Sequence, residues 1–184
     1  MRKITIVLIS LLSMAILLSF MIQINSLVAE EFKYVGNKKC IACHKNEYKA
    51  WQKDYHAMAL DDLKPGVKAE AKKKANLDPN MDFTTDASCL MCHSTGYGKS
   101  ADEGADLGNV GCESCHGPGK KYRTMKIMNK KKYKENPEAQ HKLAVEAGLI
   151  EPTEKVCIEC HNDKSPTWKG FDYCKMIEEV KHKK

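Results

Sequence analysis

"KCIACHKNEYKAWQKDYHAMAL", residues 39–60, is the stretch on which the reading of this fold turns. It holds a Cys-x-x-Cys-His run, Cys40 to His44, and further on a second histidine, His56. Two thiols three positions apart in a tight turn reach the two vinyl edges of one porphyrin and form thioethers. The histidine that follows then serves as the proximal iron ligand. The pattern recurs at Cys89-Leu90-Met91-Cys92-His93, at Cys112-Glu113-Ser114-Cys115-His116 and at Cys157-Ile158-Glu159-Cys160-His161. Zinc ribbons use paired Cys-x-x-Cys but need no histidine after every pair. Disulfides suit an exported chain but do not impose one spacing four times. The sequence therefore predicts four covalently bound haem c groups, with Cys40, Cys43, Cys89, Cys92, Cys112, Cys115, Cys157 and Cys160 as attachment points. His44, His93, His116 and His161 would sit on the irons.

The remainder of the chain agrees with an exported haem protein. Its 184 residues suffice for one domain. Met1-Arg2-Lys3 precedes an uncharged apolar run over residues 4–22, the layout of a secretory leader, with Ala29 a plausible last residue of it. The run is also long enough to span a bilayer. Residues 1–29 thus read as a signal peptide or an uncleaved N-terminal anchor, and residues 30–184 as a tetrahaem cytochrome c domain. Either reading places the domain in the periplasm or otherwise outside the cytoplasm, tethered to the membrane if the run is kept. The formal charge is +6, and Arg2 and Lys3 belong to the leader. The lysines alternate with acids in an exported chain, so no nucleic-acid partner is expected. With only 2 Trp and 4 Phe, one of the latter (Phe20) in the leader, an apolar core would be thin. The porphyrins are expected to be the core, and their propionates to offset part of the basic excess.

Beyond the four proximal histidines remain His56, His141 and His182. Residues 47–60 read as a helix, with Tyr48, Trp51, Tyr55 and Met58 at helical spacing. A helix from His44 to His56 would rise about 18 Å. Two nitrogens on opposite faces of one iron lie only about 4 Å apart, from iron–nitrogen bonds of ~2 Å. His56 is therefore expected to ligate a haem other than the first. Three spare histidines for four irons leave one haem to take a methionine, another group, water or nothing, and an open iron binds small molecules. Further helices are predicted near residues 67–76, over 138–147 with His141, and over 171–184 with Cys174 and His182. The lysines of the first of these read as a solvated face, residues 96–111 as an exposed loop, and residues 120–134 as a basic stretch carrying Met125 and Met128. No alternating strand is apparent. Cys174, the ninth cysteine, reads as a small buried hydrophobe. The fold class expected is mainly α, helices and loops wrapped around haems.

Several segments resemble the tetrahaem cytochrome c-554 family, whose best-known member takes electrons from hydroxylamine oxidoreductase in ammonia oxidisers. They are "KKCIACHKNEYKAW" running on to "HAMA", "LKPGVKAEAKKKANLDP", "VGCESCHGPGKKY", "SPTWKG", and "FD" with "EEVK" near the end. The resemblance implies a mainly helical fold with haems in closely stacked pairs, three of them bis-histidine and the second along the chain five-coordinate. It implies that His56 is the distal ligand of the fourth haem, held by Cys157, Cys160 and His161. It places His182 near the family's distal ligand to the third haem. At the first haem this chain departs from the family, which has a histidine about where Lys126 stands beside Met125. His141, Met125 or Met128 would replace it, or that haem is also open; of these, His141 is favoured, since it is otherwise unemployed.

Four functions follow as expectations. The foremost is an electron carrier between extracytoplasmic redox proteins, by resemblance accepting from a hydroxylamine-oxidoreductase-like multihaem donor. The second is a nitric oxide, nitrite or hydroxylamine reductase at the open haem. Against it, no haem motif ends in lysine, and no histidine is left over as an obvious proton donor. The others are a membrane-anchored quinol dehydrogenase and a subunit of a haem filament.

Overall fold

The structure, a computed structural model, describes residues 32–182 together with residues 12, 14 and 16–19, which are helical. The leader-or-anchor reading of residues 1–29 lies almost wholly outside the described residues. Among the described residues, no helix is long and apolar enough to cross a membrane.

The helices are short: α1 (Lys45–Trp51), α2 (Ala69–Lys74), α3 (Ala87–His93), α4 (Cys112–His116), α5 (Lys130–Glu135), α6 (Pro137–Glu146), α7 (Glu154–Cys157) and α8 (Tyr173–Val180). Single turns of 3-10 helix stand at Asn37–Lys39, Tyr55–Met58 and Asp61–Leu63. Extended pairing among the described residues is limited to isolated bridges between Tyr34 and Ala101 and between Ser94 and Gly108. The fold is mainly α, as expected.

The helix expected over residues 47–60 is broken. α1 stops at Trp51, and Asp54 accepts a hydrogen bond from the His56 amide at 2.8 Å, opening the Tyr55–Met58 turn. A short carboxylate that bonds backbone two residues ahead offers the chain a turn in place of helix. His56 therefore stands on a turn and not on a helix face. The segment beyond is pinned to the loop before the third motif: Trp51 Nε1 donates to the Val110 carbonyl at 2.9 Å, and the Leu60 amide to Asn109 Oδ1 at 2.8 Å.

The tail is also shorter than expected. α8 ends at Val180, Lys181 is extended, and His182 follows the helix instead of belonging to it. Cys174 is exposed, which corrects the expectation of a buried residue. The half-buried face of α8 is Tyr173, Ile177 and Val180, and Cys174 lies one position round from it.

Among the described residues the buried hydrophobic side chains are Val35, Leu63, Phe83, Tyr122, Ala144 and Ala147, a small set. A carboxylate is buried as well: Glu113 is 1% exposed. The Val35 amide donates to both its oxygens at 3.0 Å, the Gly36 amide at 2.7 Å and the Gly119 amide at 2.6 Å. One side chain within the third motif thus fastens the N-terminal segment and the Pro118-Gly119 turn around it. Gly117, directly after His116, has φ 75°, and a Cβ there would lie 2.6 Å from the Gly148 carbonyl oxygen. Only glycine lets the chain leave the motif this way.

The loop over residues 96–111 is exposed at residues 97–100, 103, 104 and 106 and stitched down between them. Tyr34 receives the Asp102 amide at 2.8 Å, and Lys120 Nζ donates to Asp102 Oδ1 at 2.7 Å. Thr95, almost fully buried, donates to the Asn109 carbonyl and accepts from the Gly111 amide, both at 2.8 Å.

Candidate haem sites

The four motifs are built on different local frames. The first occupies a turn between the Asn37–Lys39 turn and α1, with His44 as the residue before the helix. The second fills α3, whose start is capped by Asp86 accepting from Ser88 and Cys89 amides. The third is α4, and the Cys112 amide donates to Asn37 Oδ1 at 2.9 Å, tying it to the first. The fourth runs from the end of α7 into a turn.

The sulfurs that would carry the thioethers pair the motifs. The Cys40 thiol is hydrogen-bonded to Cys112, and that bond, with burial, pushes its pKa far up. Burial and a hydrogen bond with Cys92 push the Cys160 thiol up to about 12. Burial, with the nearby Cys157, pushes Cys115 up to about 11. The first motif therefore lies beside the third and the second beside the fourth, with Cys115 and Cys157 joining the two halves. All nine cysteines are free of disulfides.

Two of the spare histidines meet proximal ones. His56 and His161 have ring centroids 6.0 Å apart, and His116 and His182 have theirs 6.2 Å apart. Edge-on rings also reach such distances, but the value has a further meaning here. It is the separation of two imidazoles across one metal: two bonds of ~2 Å plus the half-width of each ring. Burial, and then the neighbouring His182, lower the His116 pKa; burial, and then His56, lower that of His161. Both shifts favour the neutral ring that a metal requires. His56 Nδ1 lies 3.1 Å from Asp54 Oδ1, which leaves Nε2 for a ligand role. His93 Nδ1 is 2.5 Å from the Ala59 carbonyl oxygen, so its other nitrogen is likewise free. Neither ring pair includes His44, His93 or His141. His141 Nε2 instead lies 3.2 Å from Glu151 Oε1. Met125 is exposed and Met128 half-buried.

The residues fit haem. Two histidine pairs stand at the spacing of axial ligands, and Met91 and Ile158 inside the second and fourth motifs, with Trp168 shortly after the fourth, present apolar surface there. The chain is 34% identical over 178 residues to cytochrome c-554 of Nitrosomonas europaea, covering 84% of this chain and 76% of that protein. It belongs to the cytochrome c-554 family. The family's profile, described as cytochrome c554 and c-prime, matches residues 39–117. The solved structure titled as the reduced state of cytochrome c554 from Nitrosomonas europaea superposes with a TM-score of 0.67 at 32% identity, over 81% of this chain and 83% of that one. The protein is accordingly a multihaem c-type cytochrome of electron transport, with four covalent haem c groups as its cofactors.

The sequence singled out the histidines and cysteines of this cytochrome but not the groups that orient them. Asp54, Phe171, the Ala59 carbonyl and Glu113 all went unremarked. Asp54 alone carried a readable signal, an aspartate two positions before a histidine at a helix break. Phe171 stacks on His161 at 4.8 Å between centroids, a contact between neighbours separated by a turn, with no periodicity to reveal it.

Proposed function

We propose that this cytochrome relays electrons outside the cytoplasm through four haems whose third and fourth members are bis-histidine. Each Cys-x-x-Cys pair attaches one haem and each following histidine supplies its proximal ligand. His182 completes the third haem with His116, and His56 completes the fourth with His161. The observation that carries this reading is the pair of histidine–histidine separations, 6.0 and 6.2 Å. When bound, the haems would supply one-electron chemistry, and histidine ligation of the third and fourth would change little between oxidation states. The chain's part is to bind and orient. Asp54 holds His56 by its Nδ1, burial keeps His116 and His161 neutral, and the Cys40–Cys112 and Cys92–Cys160 contacts set motifs side by side in two pairs.

For the first haem we propose a sixth ligand from residues 125–141, with His141 the first choice and Met125 and Met128 the alternatives. Gln140 donates to the Lys126 and Ile127 carbonyls, so α6 and the methionine-bearing stretch are held together. The second haem, on His93, is proposed to be open. A cleft of about 290 Å³ lined by Leu60, Leu90, Tyr97 and Leu107 lies against that motif. Reduction of a small nitrogen oxide at that iron is the second reading, and it rests on the resemblance. The donor is proposed to be a multihaem protein of the hydroxylamine-oxidoreductase kind, as the resemblance implies. Residues 1–29 are proposed as the export leader or anchor, and residues 30–184 as the haem domain.

Electron paramagnetic resonance of the oxidised holoprotein tests the ligand set. Substituting His182→Ala should convert one low-spin haem to high-spin while four haems remain attached. Unchanged low-spin intensity in that variant would sink the assignment. Nitric oxide should perturb a high-spin signal of the unsubstituted protein, and indifference would remove the open second haem.

A further inference from the structure

The two histidine pairs differ in a way that ligand counting does not explain. The rings of His116 and His182 are 30° from parallel, whereas those of His56 and His161 stand 75° apart. In the second pair each ring is gripped from outside. Asp54 Oδ1 lies 3.1 Å from His56 Nδ1, and that carboxylate is itself fixed because it caps the Tyr55–Met58 turn. On the other side the Phe171 ring lies stacked on His161, centroids 4.8 Å apart and planes 18° from parallel. A stacked neighbour resists rotation of the imidazole about its metal-directed axis, since turning drives the ring edge into the aromatic face. Phe171 is half-buried and directly precedes Asp172, whose side chain accepts from the Lys175 amide and starts α8. Its ring is thus held by a helix cap.

We propose that Phe171 is a positioning residue that sets the His161 ring crosswise to His56 and thereby fixes the electronic character of the fourth haem. The proposal rests on the reading that His56 and His161 share one iron. The warrant is ligand-field chemistry. Imidazoles whose planes lie crosswise donate into different iron d orbitals and leave these nearly equal in energy. Imidazoles lying near-parallel donate into the same orbital and split the pair. A ferric low-spin centre of the first kind gives one steep, highly anisotropic low-field feature, and one of the second kind gives three resolved rhombic lines. Axial ligand orientation, set by groups the iron never touches, is in this way a lever of the protein.

The test is electron paramagnetic resonance of the oxidised holoprotein, with absorbance confirming four haems in each sample. The unsubstituted protein should show both a steep low-field feature and a rhombic set. Phe171→Leu and Phe171→Met both remove the stack while keeping bulk, and whichever retains four haems decides. In it the steep feature should move or spread toward the rhombic set, which itself stays in place. Phe171→Tyr, which keeps the stack, should leave the steep feature where it was. His56→Ala should abolish that feature and add high-spin signal. If His56→Ala abolishes the feature but loss of the Phe171 stack leaves it unmoved, the ligand pairing stands and the positioning role falls. If the feature survives His56→Ala, the pairing itself is wrong and the proposal falls with it.

Discussion

Glu113 occupies one of the two variable positions of the third haem motif, where any residue would satisfy the attachment chemistry. The fold uses it as an internal fastener instead. Three backbone amides, from Val35, Gly36 and Gly119, converge on its carboxylate in a site closed to water. Glu113→Ala would strand all three donors, each an unsatisfied buried group costing about 1–3 kcal/mol. We expect a loss of at least ~3 kcal/mol, read as a lower denaturant midpoint followed through haem absorbance. A midpoint unchanged from the parent would mean the segment is held by something else. The contrast with the histidines shows where residue-level reading works. His44, His93, His116 and His161 announce themselves because attachment chemistry dictates their spacing. The rise of an unbroken helix kept His56 from the first iron, but the chain turns at Asp54, so its place opposite His161 is a proposal carried by ring spacing instead. Glu113 has its partners far away in the chain, and nothing local marks it.

At the level of elements the chain is a set of helices of one to three turns, and the haem motifs themselves become helical at α3 and α4. Periodicity needs more residues than these pieces offer, so it found α6 and the start of α8 and ran α1 too far, across the Asp54 turn. Short helices depend on their ends. α6 begins at Asn136, whose side chain accepts from the Ala139 amide, with Pro137 at the first helical position. Asn136→Ala should cost ~1 kcal/mol, while Asn136→Asp should cost little, because either side chain caps well. Thermal unfolding of both variants checks this, and equal losses would show that the cap contributes nothing specific. The same cap matters to function, since α6 carries Gln140, the bond to the Lys126 and Ile127 carbonyls, and with them the candidates for the first iron.

Among the described residues, the whole domain has little apolar interior of its own. Of its few buried hydrophobic residues, Val35 and Tyr122 lie by Glu113 and Leu63 and Phe83 by Lys72, while Met91 and Ile158 inside the motifs, and Trp168 after the fourth, are exposed. Domains short of a core need other cross-links or fillers. A chain with all eight motif cysteines changed to serine should therefore lack a cooperative unfolding transition and lose most helical signal by circular dichroism. The parent should melt as one unit. A cooperatively folded serine variant would show that polypeptide packing alone specifies the fold. This dependence was legible early, in the shortage of Trp and Phe against the number of haem motifs.

The meeting of His56 with His161, and of His116 with His182, also has a bearing on how such a chain is made. Each pair joins an early residue to a late one, and synthesis runs from the first to the last. Under the proposed ligation the fourth iron cannot be closed until His161 is made, and the third not until His182 is. A nascent or truncated molecule would carry its haems yet leave them uncapped, reactive toward oxygen and adventitious ligands. His182 is then the seal on the third haem, and quality control in the cell has a simple thing to inspect: whether that seal is in place.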